Sequence, residues 1–236
     1  MVKLEVKKLS KSFKKNKILQ DINLELKSPE ILGIIGKSGG GKSTLLKILA
    51  GYYSLDRGEI FLDGKRISGG LRELREIIGY TTQDNSFYDE LTVWENMAYY
   101  SKLYNIPLKE RRNRINHLLT QVGLINHKNT ISEKLSGGMK RRLDFSISLI
   151  HNPSVLIMDE PTTGLDPILV DQFWNIVNDV VSKEEKIVIM TSHIITEIEK
   201  YCTKVAIVKN GTISKILNRS QIKNLDKRFE KLLEEK

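Results

Sequence analysis

A glycine-rich stretch at residues 36–44 has the residue types and spacing for phosphate chemistry. Successive backbone N–H groups in such a turn face an anion, and the following helix adds the positive end of its dipole. Lys42 is spaced to reach the β- and γ-phosphates of a nucleotide, and Ser43 to offer its hydroxyl to Mg²⁺. We therefore predict a phosphate-binding loop (P-loop). Its residues are Gly36, Lys37, Ser38, Gly39, Gly40, Gly41, Lys42, Ser43 and Thr44.

The flanks of this loop have the patterns that a phosphate-binding loop needs. Residues 31–35 form a short apolar run typical of a buried strand. Residues 45–50 favour a helix, and Gly51 is placed to end it. Strand, loop and helix thus follow in the required order, which a glycine-rich surface turn without a ligand does not need.

Several polar residues come shortly after apolar, strand-like runs, and these are Gln83, Asp159, Glu160 and His193. Taken singly, a Gln or His after a strand is more often an ordinary loop residue. In a parallel sheet, however, all four lie at the edge that carries the phosphate-binding loop. Adjacent carboxylates at the end of a buried strand are costly unless a cation meets them. We predict that this cation is a Mg²⁺ held by the loop.

The rest of the chain divides by pattern into three regions. Alternating runs at residues 2–9 and 18–26, and a run at 58–64 ending in Asp-Gly, predict antiparallel strands in the N-terminal third. Residues 92–150 have mostly helical periodicity and predict a helical lobe inserted between strands. Residues 220–236 mix apolar and charged positions and predict an amphipathic helix.

Composition limits the class of protein. Apolar residues make up 40% and charged residues 28%, which is typical of a globular domain with a substantial core. No apolar run approaches the ~18–20 residues of a membrane span. The single cysteine, Cys202, cannot form an internal disulfide, so we expect a reducing cytoplasm. The formal net charge of +9 is spread over scattered clusters, and each of them is also consistent with an ordinary solvated surface.

A second motif identifies the family that the chain resembles. Residues 135–139 read Leu-Ser-Gly-Gly-Met and lie just ahead of the acidic strand that ends at Glu160. This signature matches that of the ATP-binding cassette (ABC) ATPases. Together with the phosphate-binding loop, it makes the chain resemble that family over essentially its whole length. The resemblance implies an α/β fold, with a P-loop NTPase (RecA-like) core, an N-terminal antiparallel β-subdomain and an inserted helical subdomain. The implied single domain, 1–236, divides into a core at 1–83 and 151–219, a helical subdomain at 84–150 and a C-terminal helix at 220–236.

The resemblance also implies roles for the residues at the sheet edge. Phe13 stands where the family stacks an aromatic on adenine, although a core phenylalanine is the alternative. Gln83 resembles the glutamine that senses Mg²⁺ and the attacking water, and Asp159 resembles the carboxylate that supports Mg²⁺. Glu160 resembles the general base, and His193 the histidine that hydrogen-bonds the γ-phosphate. With Lys42, they form the implied ATP-hydrolysing site.

The signature implies that two chains share each ATP. Ser136, Gly137 and Gly138 resemble a second anion-binding helix start, which in the family addresses the γ-phosphate held by the other subunit. Asp166 matches the loop that crosses the dimer. With one phosphate loop and one signature, the chain is expected to pair head-to-tail with a second copy or with a similar subunit.

We expect a cytoplasmic ATPase subunit, peripheral on the inner face of the membrane, that powers transport through a separate permease. Met139, with Thr-Thr-Gly-Leu-Asp-Pro at residues 162–167, is similar to the export-type branch. One alternative is a soluble ABC ATPase acting on nucleic acid or ribosomes, which the charge suggests. Such proteins commonly carry two cassettes or long coiled coils, so we do not expect a nucleic acid partner. A non-catalytic scaffold is the other alternative, and the intact Lys42 and Glu160 argue against it.

Overall fold

The computed structural model describes residues 1–68 and 70–234, with side chains described up to residue 229. Its strands are β1 (Lys3–Phe13), β2 (Asn16–Lys27), β3 (Ile31–Gly36), β4 (Arg57–Leu62), β5 (Lys65–Arg66), β6 (Ile78–Thr81), β7 (Val155–Asp159), β8 (Ile187–Thr191), β9 (Lys204–Lys209) and β10 (Thr212–Asn218). Its α-helices are α1 (Lys42–Leu49), α2 (Gly70–Ile77), α3 (Val93–Leu103), α4 (Leu108–Gln121), α5 (Gly137–Ser148), α6 (Pro167–Lys183), α7 (Ile195–Tyr201) and α8 (Leu225–Glu234). Short 3₁₀ turns lie at Ile125–His127, Ser132–Lys134 and Arg219–Gln221.

A six-stranded sheet in the order β10-β9-β3-β8-β7-β6 forms the centre of the fold. Strands β9, β3, β8, β7 and β6 pair in parallel, and β10 pairs antiparallel to β9 at one edge. Alternate side chains of β7 enter opposite cores, with Val155 and Ile157 on one face and Leu156 and Met158 on the other. A strand covered on both faces reads as a continuous apolar run, which is why the sequence pattern identified it.

The N-terminal strands form a separate antiparallel sheet in the order β2-β1-β4-β5. Its inner residues, such as Leu4 and Ile22, share one core with Leu45 and Leu49 of α1 and with Ile189 of the central sheet. Helix α1, and with it the loop that precedes it, is therefore fixed between two sheets. The predicted antiparallel region is confirmed, and β1 extends to Phe13, four residues beyond the expected end.

Helices cover the other face of the central sheet. Helices α3, α4, α5 and α6 contribute to one core that includes Met97, Leu118 and Trp174 and is continuous with the sheet residue Met158. Helix α3 begins with a reciprocal capping box, in which the hydroxyl of Thr92 accepts from the N–H of Glu95 at 3.2 Å and the Glu95 carboxylate accepts from the N–H of Thr92 at 2.8 Å. The α/β fold predicted from the sequence is confirmed.

Three elements have no counterpart in the sequence pattern, namely α2, β5 and β10. Strand β10 is an edge strand whose middle residues are largely exposed, so it lacks a continuous apolar run. The predicted C-terminal helix begins at Leu225, after a 3₁₀ turn, and residues 235 and 236 of that prediction lie outside the described residues. In the part of the chain that the structure describes, the helices are all too short or too polar to cross a bilayer.

Candidate nucleotide-binding site

Three adjacent parallel strands bring the predicted site residues to one edge of the central sheet. Strands β3, β8 and β7 are neighbours, so the segments that follow their carboxyl ends lie side by side. These segments enclose a cavity of about 350 Å³. It is lined by Ile18, Ser38, Gly39, Gly40, Gly41, Lys42, Ser43, Thr44, Asp159, Glu160, Thr191 and His193.

The glycines of the phosphate-binding loop leave room for its tight path. A Cβ atom on Gly36 would lie 2.2 Å from the carbonyl oxygen of Val208 on β9, so only glycine allows these backbones to approach. Gly41 has a φ of 99° and leads directly into α1. The unpaired N–H groups of the first helical turn therefore face the cavity that Gly41 lines.

The side chain of Lys42 folds back over the start of the phosphate-binding loop. Its Nζ donates to the carbonyl oxygens of Gly36 at 2.9 Å and Lys37 at 3.1 Å. Burial lowers the pKa of Lys42, and the charges of Glu160 and Asp159 act in the opposite direction. The ammonium group thus lies between the loop and the acidic pair, in a position to contact a phosphate bound by the loop.

Glu160 and His193 are in direct contact in the cavity. Glu160 Oε1 lies 2.6 Å from His193 Nε2, and the His193 side chain is 64% exposed against 19% for Glu160. Glu160 also has a left-handed backbone, with a φ of 52°, which costs about 1–2 kcal/mol for a residue with a Cβ. Such conformations cluster at functional sites because the surrounding structure holds them.

Thr191, at the end of β8, bonds both the side chain of Asp159 and the backbone of Glu160. Its hydroxyl accepts from the backbone N–H of Glu160 at 3.2 Å and donates to Oδ1 of Asp159, opposite which it lies in the sheet. Sequence reasoning missed Thr191. Its position at the end of an apolar run, two residues before His193, was the available signal.

A buried carboxyl lies beneath the loops that carry Glu160 and His193. Glu197 is 5% exposed, and its two carboxylate oxygens lie 2.8 and 2.7 Å from the hydroxyl of Thr162. The hydroxyl of Ser192 donates to the same carboxylate at 3.3 Å. Burial raises the pKa of Glu197, and these hydrogen bonds lower it. Glu197, which the sequence pattern did not single out, therefore ties the two loops together.

Gln83 lies at the same sheet edge but does not line the cavity. It follows β6, which is three strands away from β3, or about 14 Å at the usual strand spacing. Gln83 is exposed, and its backbone carbonyl oxygen accepts from the guanidinium of Arg141 at 2.6 Å. The role predicted for Gln83 stays a prediction.

The other predicted residues also lie outside this cavity. Phe13 is 40% exposed and packs edge-on against Tyr53, with ring centroids 5.3 Å apart. Ser136 begins α5, where its hydroxyl accepts from the N–H of Met139 at 3.3 Å, and Gly137 and Gly138 follow. Asp166 caps α6 by accepting from the N–H of Leu169 at 3.0 Å. Lys37 lines a neighbouring cavity beside Gly39.

The fold and this edge define a P-loop nucleotide-binding protein. The loop, Lys42, two carboxylates and a histidine meet at the carboxyl edge of the central sheet, and the N-terminus of α1 lies at the same cavity. This arrangement can bind a nucleotide polyphosphate and can place a base next to its terminal phosphate.

The comparisons with known proteins identify the family. The model of the ABC transporter family matches residues 19–163, which is more than half of the chain. The methionine import ATP-binding protein MetN of Clostridium acetobutylicum is 33% identical over 214 residues, covering 89% of this chain and 67% of that protein. The linearmycin resistance ATP-binding protein LnrL of Bacillus subtilis is 33% identical over 208 residues, covering 88% and 67%.

Solved structures agree with this assignment. CbiO1 from Clostridium perfringens, part of the ABC transporter complex cbiONQ, matches with a TM-score of 0.86 and 28% identity over 97% of this chain and 93% of that chain. A dimeric ATP-binding cassette in a post-hydrolysis state with ADP and phosphate matches with a TM-score of 0.78 and 25% identity over 92% and 98%. The chain belongs to the ABC transporter family and is an ATP-binding subunit that hydrolyses ATP to ADP and phosphate.

Proposed function

We propose that this ATPase powers transport through a separate membrane permease, peripheral on the inner face of the membrane, and that two copies, or one copy and a similar subunit, close on ATP. The observation that carries the proposal is the division of the predicted residues between two places. The phosphate loop, the acidic pair and His193 share one cavity, whereas the signature at Ser136 lies elsewhere on the surface. A site divided in this way is completed by a second chain.

Within the cavity, Glu160 is proposed to act as the general base. It accepts the proton of a water whose oxygen bonds to the γ-phosphorus, while the bond from that phosphorus to the β–γ bridging oxygen breaks. His193, whose Nε2 lies 2.6 Å from Glu160, is proposed to orient the base and to donate to the γ-phosphate. Lys42 neutralises charge that develops on the β- and γ-phosphates. Phe13 is proposed to stack on adenine at the open side of the loop.

The residues fit a magnesium ion as they fit a phosphate. Ser43 and Asp159 line the same cavity, and Thr191 holds Oδ1 of Asp159. Mg²⁺ typically takes one or two carboxylates together with waters and substrate phosphates, so a hydroxyl and a carboxylate at this edge suit it. When bound, the ion would neutralise charge on the phosphate oxygens. Gln83 is the third proposed ligand, reached by movement of its loop.

The start of α5 is proposed to bind the γ-phosphate that the partner holds. Ser136 and Gly137 are exposed, and the helix N-terminus offers unpaired N–H groups to an anion. A Cβ atom on Gly137 would meet only the side chain of Leu165 at 3.7 Å, which is ordinary contact. Gly137→Asp therefore places a negative charge at this surface without disturbing the fold.

Sedimentation tests the shared site. We expect Glu160→Gln, which binds ATP but turns it over slowly, to form a dimer with saturating Mg-ATP and to be a monomer without it. Glu160→Gln combined with Gly137→Asp should bind ATP and remain a monomer. A Glu160→Gln protein that stays monomeric with Mg-ATP would contradict the proposal, as would a dimer that Gly137→Asp does not disturb.

A surface between the core and the helical elements is proposed to receive the permease. Tyr88 is 45% exposed and Leu103 is 60% exposed. They lie near a cavity of about 340 Å³ that Leu103 lines with Tyr52, Tyr100 and Tyr104. Exposed apolar and aromatic side chains around a groove suit a short amphipathic helix of a partner.

Co-purification with a candidate permease tests the docking surface. Tyr88→Ser and Leu103→Ser should each weaken capture of the membrane protein while the isolated ATPase keeps its turnover. Ile216→Ser is the matched control, because Ile216 is 38% exposed on β10, at the opposite edge of the central sheet. Capture that is indifferent to Tyr88 and Leu103 would contradict this part of the proposal.

Export is the proposed direction of transport. The support is Met139 after the signature glycines and the similarity to LnrL, whose name states a resistance function, although MetN is named for import. Membrane vesicles that contain the chain and its permease can be tested with labelled linearmycin and methionine. ATP-dependent accumulation inside inverted vesicles would support export, and accumulation only with the opposite orientation would contradict it.

A further inference from the structure

The loop at residues 82–90, which follows β6, is fastened to helix α5 through Arg141. The guanidinium donates to the carbonyl oxygen of Thr82 at 3.1 Å and to that of Gln83 at 2.6 Å. Arg141 is only 8% exposed. Because a guanidinium presents its donors in a fixed fork, two consecutive carbonyl groups of the loop are held in one orientation.

Asp144, also on α5, holds the same loop at a second point. Its Oδ1 accepts from the N–H of Ser86 at 3.0 Å and from the Ser86 hydroxyl. Tyr100 of α3 donates to the carbonyl oxygen of Ser86. Asp144 is 1% exposed, and its Oδ2 has no hydrogen-bond partner among the described residues. Burying a carboxyl with one oxygen unpaired costs free energy. This buried carboxyl contacts the loop that carries Gln83, a proposed functional residue.

Arg141 and Asp144 lie three residues apart, so they share one face of α5. The same helix starts at the signature, where Ser136 caps it. Arg141 and Asp144 follow within two turns of this start and are joined to it by the hydrogen bonds of the helix, so a displacement of α5 as one body moves them too. Neither residue lines the phosphate cavity.

We propose that Arg141 and Asp144 form a clamp that makes the loop at residues 82–86 a rigid extension of α5, so that nucleotide engaged at the start of α5 sets the position of Gln83. The two are positioning residues, since neither reaches the nucleotide cavity. This proposal rests on the proposed roles of the signature and of Gln83.

Hydrogen exchange on the full chain tests the clamp without nucleotide. The amide of Ser86 is protected by Asp144, so we expect Asp144→Ala to speed its exchange about tenfold, the worth of one lost hydrogen bond. Arg141→Ala should speed exchange across residues 82–86. Asp144→Asn, which keeps the acceptor Oδ1, should retain most of the protection. Unchanged exchange in Asp144→Ala and Arg141→Ala would overturn the clamp.

The matched control is Arg142→Ala on the same helix. Arg142 donates to the carbonyl oxygens of Gly138 and Val122 and not to the loop. We expect its removal to leave exchange at residues 82–86 unchanged. If Arg142→Ala loosens the loop as much as Arg141→Ala, the effect is a general softening of α5 and the proposal is overturned.

A double-mutant cycle with Gln83→Ala tests the positioning role in ATP hydrolysis. We expect Arg141→Ala to lower kcat about tenfold with the KM for ATP nearly unchanged, and to add no further loss in the Gln83→Ala background. Independent, additive losses would overturn the proposal. If Gln83→Ala alone keeps full turnover, the proposed role of Gln83 is wrong and the positioning role falls with it. This result differs from a failed clamp, in which Gln83→Ala is impaired and Arg141→Ala is not.

Discussion

His193 Nε2 lies 2.6 Å from Glu160 Oε1, at the carboxyl ends of two adjacent parallel strands. Two backbone features hold this pair together. Glu160 takes a left-handed conformation, and its N–H donates to both the carbonyl and the hydroxyl oxygen of Thr191. The backbone thus fixes the position of Glu160 next to His193, which is the kind of preorganisation that favours transition-state stabilisation.

His193→Ala should lower kcat about 10²-fold, because the base loses the group that orients it and the γ-phosphate loses a donor. Nucleotide affinity should change little, since the phosphate loop is untouched. Steady-state turnover and equilibrium ATP binding, measured on the same protein, check this. A variant with normal turnover would show that the 2.6 Å contact has no part in hydrolysis.

Lys42→Ala should lower ATP turnover about 10²- to 10³-fold, the usual cost of removing one preorganised donor to developing charge. The lysine bridges two carbonyl oxygens of the loop at 2.9 and 3.1 Å, so Lys42→Arg, with a larger head group, should not restore activity. Lys47→Ala in the same helix is the control and should keep its turnover. Equal losses in Lys42→Ala and Lys47→Ala would point to unfolding of α1 instead.

Thr191→Val should lower both stability and activity, because valine keeps the shape of threonine and removes the hydroxyl that joins Asp159 to Glu160. The lost hydrogen bonds should cost about 1–3 kcal/mol in the free energy of unfolding, since Thr191 is buried. Turnover should fall further than this stability loss explains. Denaturant unfolding and kcat measure the two losses. Thr120→Val, at an exposed position of α4, is the control. An unchanged kcat would show that the hydroxyl of Thr191 does not contribute to ATP hydrolysis.

Glu197→Ala should loosen Glu160 and His193 together, because the loop after one and the loop before the other both bond to this carboxylate. We expect a kcat at least about tenfold lower with a smaller change in the KM for ATP. Glu197→Gln keeps an acceptor for the Thr162 hydroxyl and should recover most of the turnover. If Glu197→Gln and Glu197→Ala are equally impaired, the negative charge matters and the positioning explanation is wrong.

Sequence patterns predicted the elements that carry the site, and physical reasons explain both this success and its limits. Strands β3, β7 and β8 are covered on both faces, so each is a plain apolar run that ends in a glycine, a carboxylate or a hydroxyl. The contacts of Thr191 with Glu160 and of Glu197 with Thr162 join residues more than 30 positions apart. They arise from strand order and helix placement, which local pattern does not contain.

Strand order also explains the position of Gln83. The sequence shows that Gln83 follows a strand, but β6 lies beyond β7 in the sheet, so the glutamine lies away from the phosphate loop. Its distance from the cavity is a consequence of topology.

His151 predicts a loss of stability in mild acid. Its Nε2 lies 3.2 Å from the carbonyl oxygen of Ile78, its ring stacks on Tyr104 at 3.9 Å between centroids, and its Nδ1 has no hydrogen-bond partner among the described residues. The pKa of His151 is lowered from 6.5 to about 4, mainly by burial and also by the charges of Lys186 and Arg114, while the hydrogen bond to Ile78 acts in the opposite direction.

Because the folded pKa of His151 lies below the unfolded value, the unfolded chain takes up the proton first as pH falls. The contribution of neutral His151 to the free energy of unfolding is fully present above pH 6.5. It is lost as the pH falls from about 6.5 to 4, by up to about 3 kcal/mol. Asp144, whose pKa is raised to about 6 chiefly by burial, acts in the opposite direction over part of this range. The effect of His151 is therefore measured as a difference. His151→Phe keeps the stacking on Tyr104. Its free energy of unfolding should exceed that of the natural protein by a growing margin from pH 7 to 4.5. Parallel curves of unfolding free energy against pH would show that His151 does not titrate as its surroundings require.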